Sequence, residues 1–465
     1  IVGGVVVTWL GSARLTIKGP AAGLIVIALG AVHELGHGDA MLGYKRVLAV
    51  GVLAALVQIA FSFARAGSLG DLFPPTVVHG MLAAIGVIIV SKQLHTMMGV
   101  TPHSESPLAL LAEVPESAHT LDPEVALIGG IGLLLLFVWP LIPRVRKLPA
   151  PLIVLAFAVP LGLAFALGTP HDYFFAGHSY HIGEGLLVAL PDSILDAITL
   201  PQFDVVFSAA SLKYVAMFAL VGSIESLLSV KAVDQLDPTH HESDLNRDLF
   251  AVGVGNLICG LIGGLPLISE IVRSSANIDA GAKSRLANFF HGAILLICVV
   301  AMPFALATIP LAALAAMLVY TGWRLASPRH FTEAAHLGRG QLFVFVLTFG
   351  VTRGVDLLAG VAVGILAEVG LHLANGASLR GLLRLEVDEE IDEETLVLRA
   401  RGPLVFTNFL RLKRRLDAAA ASHQAVRLDL SVSPLVDHTV MGKLRYLSGA
   451  GPRPAPLRPA ATTPP

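Results

Sequence analysis

The chain has 465 residues, 54% of them hydrophobic and only 14% charged, and its mean hydropathy of +0.73 is too apolar for a soluble domain of this length. A net charge of −2 gives no electrostatic basis for partnering nucleic acid. The two cysteines, Cys259 and Cys298, both lie in apolar runs, which argues against a disulfide framework or a Cys-x-x-Cys metal site.

Apolar segments fall at about 1–10, 20–36, 47–64, 76–95, 124–142, 150–168, 213–231, 249–263, 267–278, 289–306, 309–325, 341–352 and 357–375, several of them long enough to span a bilayer. The chain opens inside an apolar run at Ile1, so one more helix is expected before it, making fourteen as two sevens. The second segment follows LTIKGPAAGL. Gly19-Pro20 suits a helix start, and the small Ala21, Ala22 and Gly23 let an anion approach the free N–H groups and positive helix end. The ordinary reading is simply a proline opening a helix. That segment ends in His33-Glu34-Leu35-Gly36-His37, which matches the zinc-protease pattern His-Glu-x-x-His. An intramembrane metalloprotease is therefore a remote alternative. Against it stand the need for a third ligand and the absence of any Asp-Gly dipeptide, which such proteases use. An exposed polar helix end is the better reading.

Lys and Arg in short loops set the topology. Arg14 and Lys18, Arg65, Arg144, Arg146 and Lys147, Lys283 and Arg285, and Arg324, Arg329 and Arg339 all fall on one side if every segment crosses. The loops at about 96–123 and 171–211 carry no Lys or Arg, and Lys45 and Arg46 are the main exception. The basic side is the cytoplasm, so the expected location is the inner (cytoplasmic) membrane with a cytoplasmic C-terminus. His171, His178, His181, His240 and His241 read as solvated loop residues.

In VGSIESLLSVKAVD, Glu225 lies midway along an apolar span, where a bare carboxylate costs about 2.5–3.5 kcal/mol. It is expected to couple to a cation, Na⁺ or H⁺, with Ser226 and Ser229 beside it. The structural alternative is an ion pair with Arg273. The stretch 251–288 carries the strongest signal. Its apolar run is broken by Gly263, Gly264 and Pro266 and resumes with Ser269, Glu270, Arg273, Ser274, Ser275 and Asn277. Broken backbone and polar side chains at membrane depth are tolerated only in a cavity or buried in protein. With GGLPLISEIVR read as a half-helix, Ser269 and Arg273 share a face at i, i+4 and meet the Ala21 end head to head. Glu270 poses the same question as Glu225. The ordinary reading is that Ser274, Ser275 and Asn277 bond carbonyls within their own helix, and it is the one expected for Ser275 and Asn277.

From about Leu385 the pattern changes to an alternating stretch, a helix over RLKRRLDAAAASHQ, a strand over AVRLDLSV and a helix start after SPLVDH. The organisation read is a membrane unit over 1–378, a soluble β/α unit over 385–448 that is cut short, and a disordered Pro/Ala-rich tail over 449–465.

TIKGPAAGLIV, GSIESLLSVKAVDQLDP, SDLNRDLFAVGVGN, GLIGGLPLISEIVRSSANIDAGAKSRLANFFHG and RLDLSVSPLVDHTVMGKL resemble the sulfate permease (SulP) anion transporters over nearly the whole chain. The resemblance implies an all-α polytopic membrane domain of inverted seven-plus-seven repeats with core and gate subdomains, its first helix lacking here. It also implies a truncated cytoplasmic α/β STAS domain and a homodimer. The implied substrate pocket comprises Pro20, Ala21, Ala22, Ser269, Glu270 and Ile271, with Arg273 as the basic residue. Glu225 and Ser229 take the ion-coupling positions. Thr439, in Asp437-His438-Thr439, takes the position phosphorylated in some relatives.

The function expected is secondary active transport of a small inorganic oxyanion, sulfate or bicarbonate, across the lipid bilayer by alternating access. No catalytic residue, cofactor or resident metal is assigned beyond Na⁺ or H⁺ as coupling ion. The other readings are a nucleobase carrier on a related scaffold and an anion channel.

Overall fold

The computed structural model describes every residue except 21, 68–73, 105, 143–147, 191–196, 238, 240, 356, 393–394, 423–424 and 450–465. Ala21, Arg144, Arg146, Lys147, His240 and the tail from residue 450 therefore lie outside the described residues.

A helical turn at Gly3–Val7 runs into α1 (Thr8–Leu10) and is followed by β1 (Ile17–Pro20), α2 (Ala22–Gly36), α3 (Ala40–Phe63), α4 (Pro75–Met97), α5 (Pro107–His119), α6 (Pro123–Val138) and α7 (Ala150–Ala164). An exposed hairpin, β2 (His171–Phe175) with β3 (His178–Ile182), precedes α8 (Ala209–Leu236) and α9 (Leu245–Ile262). Then come β4 (Leu267–Glu270), α10 (Ile271–Asp279), α11 (Leu286–Ala301), α12 (Pro303–Leu306), α13 (Leu311–Leu325), α14 (Pro328–Leu337), α15 (Arg339–Gly354) and α16 (Leu357–Ala374). Among the described residues, Ala40–Phe63, Pro75–Met97, Pro123–Leu141, Ala209–Asp234 and Leu245–Ile262 are long and apolar enough to cross a membrane. Leu24–Gly36, Ala150–Ala164, Leu286–Ala301 and Ala359–Ala374 are shorter apolar helices.

Helix ends follow local chemistry. Proline occupies the first turn of α4, α5, α6 and α7, where a missing N–H costs nothing. Asp39, Asp122, Ser208 and Asp244 cap α3, α6, α8 and α9 by accepting N–H groups of the first turn. Packing sorts the helices into two groups. α2, α3, α8 and α9 contact one another, with β4 and α10 against α8. α4 packs with α6, α13, α15 and α16, and α7 packs with α6 and α13. The groups meet where α2 touches α4 and α8 touches α16.

The α9 helix ends at Gly263, whose φ of +94° is left-handed and whose N–H returns to the Cys259 carbonyl. Pro266 then prevents immediate resumption, and Leu267–Glu270 run extended. The extended stretch pairs antiparallel with β1, in the register Ile17↔Glu270, Lys18↔Ser269, Gly19↔Ile268 and Pro20↔Leu267. This ladder joins the two broken segments across the sequence.

Beyond α16, the short α17 (Leu379–Leu383) leads into β5 (Val387–Asp392), β6 (Thr395–Ala400), α18 (Phe409–Ser422), β7 (Ala425–Asp429) and α19 (His438–Gly449). β5 and β6 pair antiparallel and β6 and β7 parallel, with α18 as the crossover that parallel pairing needs. Leu398, Leu404, Phe409, Leu412 and Leu428 form this unit's own core. A buried contact ties it to the membrane helices: His372 Nε2 of α16 lies 3.3 Å from Asp437 Oδ2 and 3.7 Å from Glu368 Oε1.

Candidate functional site

The β1–β4 ladder has two faces because side chains alternate along a strand. Lys18 and Ser269 point together to one face; Gly19, Ile17 and Glu270 point to the other.

The first face is sealed. Lys18 Nζ bonds both Asp248 carboxylate oxygens at 2.8 Å, with each side chain 1% exposed. The Ser269 hydroxyl, itself fully buried, accepts from Lys18 Nζ at 2.9 Å and donates to Asp248 Oδ2 at 3.2 Å. Asn288 accepts from the Lys18 backbone N–H and donates to the Thr8 hydroxyl and Gly3 carbonyl. Ser274 accepts the Ile17 N–H at 2.8 Å and also donates to the Glu270 carbonyl. Asn256 accepts the Leu267 N–H and donates to Gln58. Both strands of the break are thereby stapled to neighbouring helices.

The second face carries the free chemistry. Arg273 Nε pairs with Glu270 Oε2 at 3.0 Å, and the Arg273 side chain is 48% exposed. A Cβ on Gly19 would lie 2.8 Å from Arg273 Nη1, so only glycine lets the guanidinium lie against the strand. Glu225 is buried on α8, which packs against both β4 and α10. Glu225 Oε1 and Glu270 Oε1 are both buried without a hydrogen-bond partner. Ser229 is buried one turn further along the same face of α8.

Several expectations are corrected. The α10 helix begins at Ile271, not at Ser269. Ser269 is in a strand, so the helical i, i+4 relation to Arg273 fails and its hydroxyl faces the Lys18–Asp248 pair rather than the open side. Lys18 is not a loop charge that reports topology; it is a buried partner of Asp248. Arg273 pairs with Glu270 rather than Glu225. Asn277 bonds the Leu15 carbonyl across the break rather than its own helix. The helix starts do not touch tip to tip. They leave opposite ends of the four-rung ladder, about 10 Å apart at a strand rise near 3.4 Å per residue. Both helix N-termini adjoin the ladder that lies between them.

Pro20 is exposed at the end of β1, and Ile271 is exposed at the start of α10. Ala22 opens α2. In the His-Glu-x-x-His stretch, Glu34 is engaged by the Tyr214 hydroxyl at 2.7 Å and Lys213 Nζ at 3.0 Å, and His37 sits at positive φ in the turn capped by Asp39. Its glutamate is a helix-to-helix tie, not a base beside a metal. Thr439 is buried in the first turn of α19, beside Asp437, whose carboxylate accepts the Val440 and Phe406 N–H groups at 2.6 Å each.

Asp248 was the missed residue. It stands just before the apolar run at about 249–263, as Lys18 stands just before the run at about 20–36, so the only signal was a pair of opposite charges at segment edges that the fold brings together.

Gly19→Ala is expected to push the Arg273 side chain off the strand while leaving the fold intact, because the clashing atom is the end of a flexible chain. Protein yield and unfolding midpoint should match the parent's; a lowered midpoint would show that the strand itself, and not the side chain, had to move.

Residues 1–348 match the Sulfate permease family. The putative sulfate transporter YvdB of Bacillus subtilis is 27% identical over 369 residues, covering 79% of this chain and 65% of the relative. The chain thus spans just under two thirds of that protein's length. The bicarbonate transporter BicA of Synechocystis is 25% identical over 473 residues, covering 95% of this chain and 80% of the relative. The solved structure of SLC26A9 superposes with a TM-score of 0.68 at 15% identity, covering 97% of this chain and 77% of that one, which is a likeness of fold.

Proposed function

This chain belongs to the sulfate permease family, and from that premise we propose that it carries a small inorganic oxyanion, sulfate or bicarbonate, across the inner membrane by alternating access. The relatives it matches are named as transporters of those two anions. The observation that supports the reading is the β1–β4 ladder, which sets the starts of α2 and α10 at its two ends with Arg273 beside Gly19 and Glu270. N–H groups of both first turns lack acceptors further up their own helices and supply donors to an anion. The group containing α2, α8 and α10 holds this place, and the group built on α4 and α13 borders it through α2 and α16. Rocking of one group against the other opens each side in turn.

Charge supports coupling to a cation. Glu270 pairs with Arg273, and Glu225, on the helix packed against β4 and α10, has a buried oxygen with no hydrogen-bond partner, so with all three ionised this region holds one negative charge in excess. An anion is repelled from that site until a proton or Na⁺ neutralises a carboxylate. The two unpartnered oxygens are the places for it to sit. The residues after Val387 take the role of a cytoplasmic STAS domain, with Thr439 as a regulatory position, in a homodimer built around two such chains.

Reconstituted into proteoliposomes, the protein is expected to accumulate radiolabelled sulfate or bicarbonate, and Arg273→Ala to cut uptake at least tenfold without loss of protein. Uptake by the variant at the wild-type rate would refute the assigned anion site. Flux far above carrier rates would identify a channel instead.

A further inference from the structure

A second cluster of chemistry lies away from the ladder, where α14 rests on the start of α4. His330 and Glu333 are three residues apart on α14 and share one face of that helix. His79 is in the second turn of α4. The His79 and His330 rings stand with centroids 4.7 Å apart at 31°. One ring nitrogen from each and one Glu333 oxygen lie within 4.8 Å of one another, and all three residues are half-buried. Glu333 Oε1 is held by Arg329 Nε at 2.7 Å, which turns Oε2 toward His330 Nδ1 at 3.7 Å. That Nδ1 is buried and has no hydrogen-bond partner.

We propose that His79, His330 and Glu333 form a site for a transition-metal dication, zinc foremost, that clamps α14 to α4. Two imidazoles facing each other with a carboxylate beside them offer three lone pairs to one point. No hydrogen bond reaches that Nδ1 among the described contacts, and the Glu333 carboxylate at 3.7 Å is the charged group beside it, so a cation held between the two would engage both. Two nitrogens and one oxygen suit zinc, cobalt or nickel; magnesium and calcium want oxygen alone. Zinc bonds of about 2.0–2.1 Å set ligand atoms roughly 3.4 Å apart, so the three must close by up to about 1.4 Å, within the reach of side-chain rotation. The half-buried position leaves a fourth coordination place for water. Arg329 serves as the outer partner that fixes the carboxylate. This site is separate from the His-Glu-x-x-His stretch, whose glutamate is already committed to Lys213 and Tyr214.

The test uses the full chain, purified without a polyhistidine tag and stripped with chelator. Titration with Co²⁺ should saturate at one equivalent with the visible absorption of a four-coordinate site, and Zn²⁺ should bleach it. Zinc should also raise the unfolding midpoint by a few degrees. H79A, H330A and E333Q should each weaken binding at least tenfold, whereas the double variant H33A/H37A should bind as the wild type does. E333Q guards against misfolding, since its metal-free unfolding midpoint and elution profile should match the parent's. Absence of a saturable single equivalent, undiminished binding in E333Q and H330A, or loss of binding in H33A/H37A overturns the assignment.

Discussion

Asp248→Asn and Lys18→Met are each expected to lower the unfolding midpoint sharply and to cut the yield of folded protein. Both charges are 1% exposed, and the ammonium meets the two carboxylate oxygens at 2.8 Å each. Deleting one partner strands the other in a low-dielectric interior, at a cost of about 3–5 kcal/mol. The double variant K18M/D248N should recover most of that loss. The introduced amide oxygen can still accept the Ala13 N–H, its NH2 can donate to the Ser269 hydroxyl oxygen that Lys18 has vacated, and no naked charge remains. Thermal unfolding of detergent-solubilised protein, followed by size-exclusion fluorescence, measures all three. Additive losses in the double variant would show that the two groups act independently and that the sealed face of the ladder is not held by their pairing.

Glu225→Gln is the second change with a large expected effect, and it acts on function rather than folding. Glutamine keeps the shape and removes the charge, so a buried oxygen with no partner becomes a neutral amide. Stability should hold or rise. Accumulation of anion driven by an imposed Na⁺ or H⁺ gradient should fall to background. Binding of anion should cease to depend on the cation, because a coupling of about 1–3 kcal/mol, roughly a 5–150-fold change in affinity, has lost its carrier. Anion binding measured with and without the cation, for parent and variant, decides the matter. A variant whose affinity still responds to the cation as the parent does removes Glu225 from the coupling role, and leaves Glu270, which also has a buried oxygen without a partner and sits beside Arg273, to fill it.

The membrane segments were legible because a water-soluble fold has no use for so many long apolar runs, and the break was legible because adjacent glycines favour a helix end and Pro266 bars its resumption. The sheet and helices after Val387 followed from alternation and from the basic helix at Phe409–Ser422. What the sequence hid was the backbone state inside the break. Four residues are too few to show a period of two, so LISE read as the start of a helix, and that one misreading moved Ser269 to the wrong face. Pairing over long separations was hidden for a different reason. Lys18 near the chain start read as a loop charge because nothing local reveals Asp248. His79, His330 and Glu333 come from two distant helices, and no spacing rule joins them. Glu34 illustrates the converse: a compact motif suggested a metal site, and the fold commits its carboxylate to a neighbouring helix.

The ladder also dictates an order of events during synthesis. Lys18 and Asp248 are separated by 230 residues, and Lys18 also needs Asn288. At about 5–20 residues per second, a ribosome takes roughly 10–50 s to deliver that aspartate. For that interval a cationic side chain at membrane depth has no counter-charge, so the earliest segments must idle at the lipid headgroups or inside the insertion machinery. Completion of the ladder therefore waits on the second half of the polypeptide, and nascent chains stalled short of it should be preferred substrates for membrane quality-control proteases.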